Sequence, residues 1–108
     1  MGRPASGIHA AAYAVMEKAG FARHFKVRSG HGIGVIMHDF PERLPWEDRP
    51  LVEGEAYAVE PGIYIEGVGG FRYSDVIVVT ADAPQRITAS PKGVEALSIA
   101  PALRETGG

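Results

Sequence analysis

The residues best suited to do chemistry lie in a glycine-rich segment at residues 30–34, in which His31 stands between glycines. His38 follows seven residues later. Histidine is the commonest metal ligand and the commonest proton carrier near neutral pH. Flanking glycines let the backbone turn sharply, so the segment favours a His31 ring that points into a cavity. Two hydrogen-bonded structural histidines are the alternative, and spacing taken alone favours that alternative.

A phosphate-binding loop is another interpretation of the same glycines, and the sequence argues against it. In the pattern G-x-G-x-x-G the third glycine would fall one residue after Gly34. Such a loop also follows an apolar strand and opens a helix, and neither is predicted around residues 30–34. Phosphate binding is therefore not expected here.

The next candidate is Glu60, which ends an apolar segment and directly precedes Pro61. A carboxylate at the end of a buried strand needs a partner, because an unpaired buried charge is very costly. A metal ion, a histidine or an arginine would serve. Arg72 stands between two aromatic residues and is a candidate for that role. Taken singly, each residue is also explained as a rim residue or as part of a buried ion pair.

One amphipathic helix precedes these residues. Apolar side chains recur at positions 8, 11, 12, 15, 16 and 19, which predicts a helix over residues 7–19 with one apolar face. Ser6 is the predicted N-cap. Gly20 is predicted to end the helix in a Schellman motif, with Phe21 making its hydrophobic contact.

Strands and turns follow the helix. Residues 41–50 contain three prolines and several charges and are predicted as a loop. Residues 67–70 are glycine-rich and predict a hairpin connection. One helix followed by antiparallel-looking strands indicates an α+β fold. The predicted strands cover residues 35–38, 56–60, 63–65, 76–80 and 86–88.

Composition limits the classes of protein that the chain can represent. It has 108 residues, 45% of them apolar, which predicts one core and a single domain over residues 1–108, with 91–108 as a frayed tail. A net charge of −2 argues against a nucleic-acid partner. No apolar run reaches the roughly 20 residues that span a bilayer, and the first residues are not expected to act as a signal peptide. The absence of cysteine excludes disulfides, cysteine-ligated zinc and thiol catalysis, and fits a cytoplasmic protein.

Together the motifs resemble metallopeptidase family M24, and its Xaa-Pro aminopeptidase and Xaa-Pro dipeptidase branch most of all. The resemblance rests on residues 30–34 with His38, on residues 60–64 and on residues 69–80, in that order, and covers nearly the whole chain. It implies the pita-bread fold, in which two pseudo-symmetric halves enclose a pair of divalent metal ions. This chain would be the C-terminal half of the catalytic domain, with one main helix packed on a curved, antiparallel-rich sheet.

The resemblance also implies a role for each candidate residue. His31 corresponds to the ligand histidine, and His38 to the histidine that steers the substrate carbonyl and the tetrahedral intermediate. Glu60 corresponds to a ligand glutamate associated with proton transfer, and Arg72 to an arginine that supports the ligand shell. Carboxylate oxygens with one imidazole suit Mn, Co, Zn or Fe. Two such ions lower the pKa of a shared water and polarise the peptide carbonyl.

The sequence departs from the family pattern in ways that affect activity. The two aspartate ligands belong to the preceding half of the family's domain and are expected to be absent from this chain. Ser74 stands where the last ligand glutamate is expected, and Val27 where many Xaa-Pro members carry a further active-site histidine. His31 and Glu60 are then two of the five expected protein ligands, whereas a catalytic zinc site usually has three. Weak or no metal binding, and no peptidase activity, are expected of this chain alone.

Two kinds of partner would complete such a chain: the missing N-terminal half-domain, or a second copy in a homodimer. The completed protein would act on a peptide or a small amide. One alternative is a non-catalytic pita-bread-like domain that binds a small amide or peptide in the pocket that corresponds to the family's active site. A metal-free creatinase-like hydrolase, when completed, is another, and a purely structural or interaction module is the third.

Overall fold

A computed structural model of the chain describes residues 2–25, 29–39, 41 and 44–98, without the side chain of Val94. Two short 3₁₀ turns occupy Ala22–His24 and Leu44–Trp46. The mixture of one long helix and antiparallel strands is the predicted α+β class. The helices are α1 (Ser6–Lys18) and α2 (Val94–Leu97), and the strands are β1 (Gly30–Gly32), β2 (Ala56–Val59), β3 (Gly62–Ile65), β4 (Gly69–Arg72), β5 (Asp75–Val78) and β6 (Gln85–Arg86).

Four strands form an antiparallel sheet in the order β1-β2-β5-β6, and β3 pairs with β4 in a separate hairpin. Strand β1 lies so close to β2 that a Cβ atom on Gly30 would come within 1.9 Å of the Ala58 carbonyl oxygen. Only glycine therefore fits at position 30. This close approach fixes His31 opposite Ala58 in the register.

The core lies between the sheet, the N-terminal end of α1 and the turn at Leu44–Trp46. Helix α1 reaches this core through Ile8 and has no buried residue of its own. Val15, on the predicted apolar face, is 66% exposed. The helix that the apolar period predicts is present, but the described residues cover only part of its apolar face. The core side chains are Ala5, Leu44, Tyr57 and Val79, with Ile8, Leu51 and Ile77 packed against them.

The start of α1 differs from the prediction. Ser6 is the first helical residue, and the N-cap position belongs to Ala5, which makes no side-chain cap. Backbone carbonyls of the proline-rich loop bind the first two N–H groups of the helix start: Ser6 N–H donates to Glu47 O at 2.9 Å and Ala5 N–H to Arg49 O at 2.8 Å. The N–H groups that a capping side chain would serve bond to the local backbone: Gly7 N–H donates to Pro4 O at 2.9 Å and Ile8 N–H to Ala5 O at 3.1 Å.

The end of α1 has the predicted Schellman hydrogen bonds, and the helix ends at Lys18, one residue earlier than predicted. Gly20 has φ +85°, the left-handed conformation that favours glycine. Its N–H donates to Glu17 O at 3.0 Å, and Phe21 N–H donates to Met16 O at 2.8 Å. These two bonds define a Schellman motif.

The predicted strand at residues 35–38 is wrong. Gly32 and Asp39 form an isolated antiparallel bridge, with Asp39 N–H donating to Gly32 O at 2.9 Å. The chain between them must therefore leave the sheet and return, and it forms an irregular loop at residues 33–38 (the 33–38 loop). Val35 is fully exposed in this loop, and Met37 is 71% exposed.

The remaining strand predictions hold with shifted bounds. The strands expected at 56–60, 63–65 and 76–80 are β2, β3 and β5, and the last strand lies one to two residues earlier than predicted. The hairpin turn occupies residues 66–68, and Gly69 already belongs to β4. The helices in the described ranges are too short or too polar to cross a membrane.

The C-terminal segment is described as far as residue 98. Lys92 Nζ lies 3.0 Å from Asp75 Oδ2, and Gly93 N–H donates to the Tyr73 hydroxyl at 3.0 Å. A frayed tail stays a prediction for residues 99–108, which lie outside the described residues, as does Val27.

Candidate active site

His31 is held in the middle of β1, where its side chain is buried. Its Nδ1 lies 2.8 Å from the Gly32 carbonyl oxygen. Because a carbonyl oxygen only accepts, Nδ1 carries the proton and donates it. In the neutral ring this leaves the Nε2 lone pair free. Metal-ligating histidines use the same arrangement, in which one ring N–H is tied to a carbonyl and the other nitrogen points at the ion.

Glu60 directly follows β2, and its carboxylate faces that free nitrogen. Glu60 Oε1 lies 3.3 Å from His31 Nε2, and the Glu60 backbone N–H donates to Ser29 O at 2.6 Å. A neutral Nε2 and a carboxylate oxygen both accept hydrogen bonds, so their contact needs a cation between them. A proton on Nε2 meets that need, and so does a metal ion bound by both atoms.

Arg72 holds Glu60 at two points. Its Nη2 lies 3.0 Å from Glu60 Oε1, and its Nε–H donates to the Glu60 carbonyl oxygen at 2.9 Å. The register of the hairpin places Arg72 opposite Gly62, two residues beyond Glu60. The arginine therefore fixes both the side chain and the main chain of the glutamate.

Ser74 contributes a neutral hydroxyl to the same carboxylate. Its Oγ–H donates to Glu60 Oε2 at 3.3 Å. The neighbouring Asp75 is directed elsewhere, since its carboxylate accepts from the Thr88 hydroxyl at 2.7 Å and pairs with Lys92. The Thr88 hydrogen bond, followed by that of Lys92, lowers the pKa of Asp75 below its ordinary value.

His38 lies on the exposed 33–38 loop, yet its ring returns to the site. Its centroid is 4.2 Å from that of His31, with the two rings inclined by 43°. The structure therefore brings all four predicted side chains, His31, His38, Glu60 and Arg72, into one cluster. Their roles in it stay predictions.

The donor set of this cluster fits part of a metal site. An imidazole nitrogen and a carboxylate oxygen are ligands that Mn, Co, Zn and Fe accept. In the described part of the chain, however, no three His, Cys, Asp or Glu side chains are arranged to hold one ion. His31 and Glu60 are thus two suitable donors that need others to complete a coordination shell.

The sequence interpretation missed a second polar contact behind the site. His9 Nδ1 lies 2.7 Å from the hydroxyl of Ser29, whose carbonyl accepts the Glu60 N–H. Burial lowers the pKa of His9, which favours its neutral form. Helical spacing was the available sequence signal, because His9 lies three and seven residues before Ala12 and Met16 on the apolar face. The structure shows all three side chains half-buried.

A largely apolar cavity of about 560 Å³ adjoins Arg72. It lies between the β3–β4 hairpin, α1 and α2. Its lining side chains include Met16, Ile63, Phe71, Tyr73 and Leu97. This volume lies in the range of small-molecule sites.

Comparison with known sequences identifies the family. The sequence model of metallopeptidase family M24 matches residues 1–81, and the chain belongs to that family. It is 41% identical over 78 residues to the putative dipeptidase YkvY of Bacillus subtilis, a match that covers 72% of this chain and 22% of YkvY. It is 37% identical over 98 residues to an Xaa-Pro dipeptidase of Lactobacillus helveticus, with 91% of this chain and 27% of the relative covered.

Solved structures give the branch and the fold. Dipeptidase PepE from Mycobacterium ulcerans superposes with a TM-score of 0.78 at 40% identity, over 83% of this chain and 24% of PepE. An Xaa-Pro dipeptidase from Bacillus anthracis superposes with a TM-score of 0.80 at 38% identity, over 86% of this chain and 26% of that one. The chain lies in the Xaa-Pro dipeptidase branch and has the pita-bread type of fold, as the motifs predicted. It spans about a quarter of the length of these relatives.

Proposed function

We propose that this chain supplies the histidine–glutamate side of a metal centre in a hydrolase of the Xaa-Pro dipeptidase type. The observation that carries the proposal is the contact of 3.3 Å between His31 Nε2 and Glu60 Oε1, with His31 Nδ1 tied to Gly32. His31 Nε2 and the Glu60 carboxylate would hold Mn, Co, Zn or Fe. When bound, the metal supplies a water of lowered pKa and polarises the peptide carbonyl.

The other residues of the cluster serve the proton and the developing charge. Glu60 receives the proton of the attacking water, and Arg72 keeps its carboxylate in place through the two contacts described above. His38 donates a hydrogen bond to the carbonyl oxygen of the substrate as negative charge develops there. Its position on the exposed 33–38 loop suits a residue that must meet the substrate.

In this proposal the 108 residues hold an incomplete site. Two protein donors seldom hold a divalent ion against water, and Ser74 adds a neutral hydroxyl in place of a bridging carboxylate. The remaining donors must come from another segment of polypeptide, either an N-terminal half-domain or a second copy of the chain. The chain alone is therefore an inactive, weakly metal-binding part of the hydrolase.

Hydrolysis of an Xaa-Pro dipeptide in the presence of Mn²⁺ or Co²⁺ tests this proposal. No turnover is expected from the purified chain. Metal-dependent turnover that disappears in His38→Ala, but persists in the control His24→Ala, would show that the chain is a complete enzyme. His24 is a suitable control because it lies in the turn after α1, outside the cluster.

A second candidate function is metal-independent binding of a small amide or peptide. The cavity of about 560 Å³, with an apolar lining and the Arg72 guanidinium at its edge, favours it. Amide chemical shifts of Phe71 and Tyr73 would then respond to a proline-containing dipeptide in the presence of a chelator. Hydrolysis under the same conditions would instead favour the creatinase-like alternative.

We also propose that the chain self-associates. Val35, Ile36 and Met37 are exposed at 102%, 60% and 71%, and Phe71 at 55%. Such exposed apolar side chains favour an interface, and a two-fold dimer buries one patch twice. Light scattering is expected to give about twice the 11.5 kDa of one chain. A mass of one chain with a cooperative thermal transition would contradict this.

A cytoplasmic location stays a prediction.

A further inference from the structure

A contact between α1 and Ser29, the residue that directly precedes β1, lies behind the proposed site. His9 Nδ1 and Ser29 Oγ are 2.7 Å apart, and Ser29 is fully buried. The His9 ring also packs against Phe25, with centroids 5.3 Å apart, and lies 6.3 Å from Tyr13. A buried hydroxyl needs a hydrogen-bond partner, and His9 supplies it.

Ser29 is connected to both proposed ligands. It precedes Gly30 and His31 along the chain, and its carbonyl oxygen accepts the Glu60 N–H at 2.6 Å. A shift of Ser29 would therefore move the start of β1 and weaken its hydrogen bond to the Glu60 backbone. The contact between His31 and Glu60 depends on the relative position of these two segments.

We infer that His9 is a positioning residue for the His31–Glu60 pair, acting through the Ser29 hydroxyl. The inference rests on the proposed function, because it assigns His9 to the support of that site. His9 itself touches neither His31 nor Glu60 in any contact that the described residues show. Its part is to anchor Ser29 to the helix, so that the carbonyl of Ser29 stays aimed at the Glu60 N–H.

Two substitutions separate the polar contact from ring packing. In His9→Asn the amide group occupies the place of Nδ1, because both are attached to Cγ, but the ring is lost. In His9→Phe the ring is kept and the polar atom is lost. If His9 serves only to pack against Phe25 and Tyr13, Phe preserves its role and Asn does not. If His9 positions Ser29, the reverse holds.

Amide hydrogen exchange of Glu60 in the full chain measures the result without any metal. The reference is the Val79 amide, which donates to Glu55 O at 2.8 Å at the other end of β2. In His9→Phe the exchange rate of Glu60 relative to Val79 is expected to rise at least tenfold. In His9→Asn this ratio stays within about threefold of the parent chain. His24→Ala is the matched control and leaves the ratio unchanged.

A ratio unchanged in His9→Phe, or raised as strongly in His9→Asn, would overturn the inference. Ser29→Ala removes the same hydrogen bond and replaces His9→Phe if that variant does not fold. A Glu60 to Val79 exchange ratio raised at least about tenfold in Ser29→Ala then supports the inference, and an unchanged ratio overturns it. Failure of the proposed function appears in a different measurement, the metal response of the parent chain. The two outcomes are therefore distinguishable.

Discussion

Two arginine–glutamate pairs flank strand β2, since Glu55 directly precedes the strand and Glu60 directly follows it. At the first end, Arg49 Nη2 donates to Glu55 and to the Tyr57 hydroxyl, the latter at 3.1 Å. Glu55 also accepts from the Val52 N–H at 2.6 Å. The hydrogen bond with Glu55 raises the pKa of Arg49, and burial raises that of Tyr57. We call these three residues, Arg49, Glu55 and Tyr57, the Arg49 cluster.

At the second end, Glu60 is paired with Arg72 but also faces His31. The Glu60 cluster comprises Glu60, His31, Arg72 and Ser74. Here Oε1 lies near an imidazole nitrogen whose partner nitrogen already donates to a carbonyl. Among the described residues, the contact shown for Oε2 is a long hydrogen bond of 3.3 Å from Ser74. The same pair of residue types thus lies in two different surroundings.

The difference separates a structural ion pair from a candidate site. In the Arg49 cluster the Glu55 carboxylate accepts hydrogen bonds from Arg49 and Val52 in the preceding loop. Arg49 also donates to the hydroxyl of the buried Tyr57. In the Glu60 cluster the His31 Nε2 atom and a carboxylate oxygen converge, and either a proton or a metal ion can lie between them. We therefore expect the Arg49 cluster to control stability and the Glu60 cluster to control metal binding.

The largest expected effect is on stability, in Arg49→Met. This change leaves the Tyr57 hydroxyl buried without its donor, which costs about 2 kcal/mol of the free energy of unfolding. Urea denaturation measures the loss. The affinity for Co²⁺ is expected to stay as in the parent chain. A loss of Co²⁺ affinity in Arg49→Met as large as that expected for Glu60→Gln would contradict the distinction between the two clusters.

The next effect is on metal binding, in Glu60→Gln. The amide keeps the shape of the carboxylate and removes its charge, so affinity for Co²⁺ is expected to fall at least about tenfold, or 1.4 kcal/mol. The free energy of unfolding changes by no more than about 1 kcal/mol, because the pair with Arg72 is partly exposed. Calorimetric titration and urea denaturation of the same preparation check both values. A large stability loss with intact metal binding would make Glu60 structural.

A smaller effect is expected in Ser74→Glu, which adds a carboxylate beside Glu60. Affinity for Co²⁺ should rise about fivefold, equivalent to about 1 kcal/mol. Without metal the two carboxylates repel, so the metal-free chain loses a little stability. Ser74→Gln is the matched control, since it adds the same bulk without the charge. Equal affinities in the two variants would argue that position 74 does not face the ion.

The smallest effect concerns pH and His9. Burial lowers the folded-state pKa of His9 from the ordinary 6.5. The unfolded chain then binds more protons below pH 6.5, so the free energy of unfolding falls as the pH drops from 6.5 through the lowered folded-state pKa. His9→Asn should flatten this part of the stability–pH curve relative to His24→Ala. Curves of identical slope would show that His9 titrates alike in both states.

Sequence patterns predicted which side chains meet in the cluster better than they predicted the contacts that support it, and the roles of these side chains stay predictions. The identities of His31, His38, Glu60 and Arg72 followed from motifs whose order the fold preserves. Helix α1 followed from its apolar period, and β5 from its run of β-branched residues. These patterns depend on residues that are close together in the sequence or on the residue types themselves. Tertiary contacts therefore do not alter them.

The failures arose where a tertiary contact decides the local structure. Residues 35–37 are apolar and favour a strand by propensity, but the bridge between Gly32 and Asp39 forces them into a loop. Ser6 has the chemistry of an N-cap, but it is the first helical residue, and carbonyls of the loop at residues 47–49 bind the first two N–H groups of the helix start. His9 belongs to no motif, and its contact is with Ser29, twenty residues further along the chain.

The most direct test of the account is a calorimetric titration of the purified chain with Co²⁺, repeated with His31→Ala. We expect a weak site, with a dissociation constant well above about 1 µM, whose binding heat disappears in His31→Ala. A stoichiometric site of submicromolar affinity in a monomeric chain would contradict the claim that the 108 residues hold only part of the centre. A weak response that His31→Ala leaves unchanged would contradict the claim that His31 and Glu60 form it.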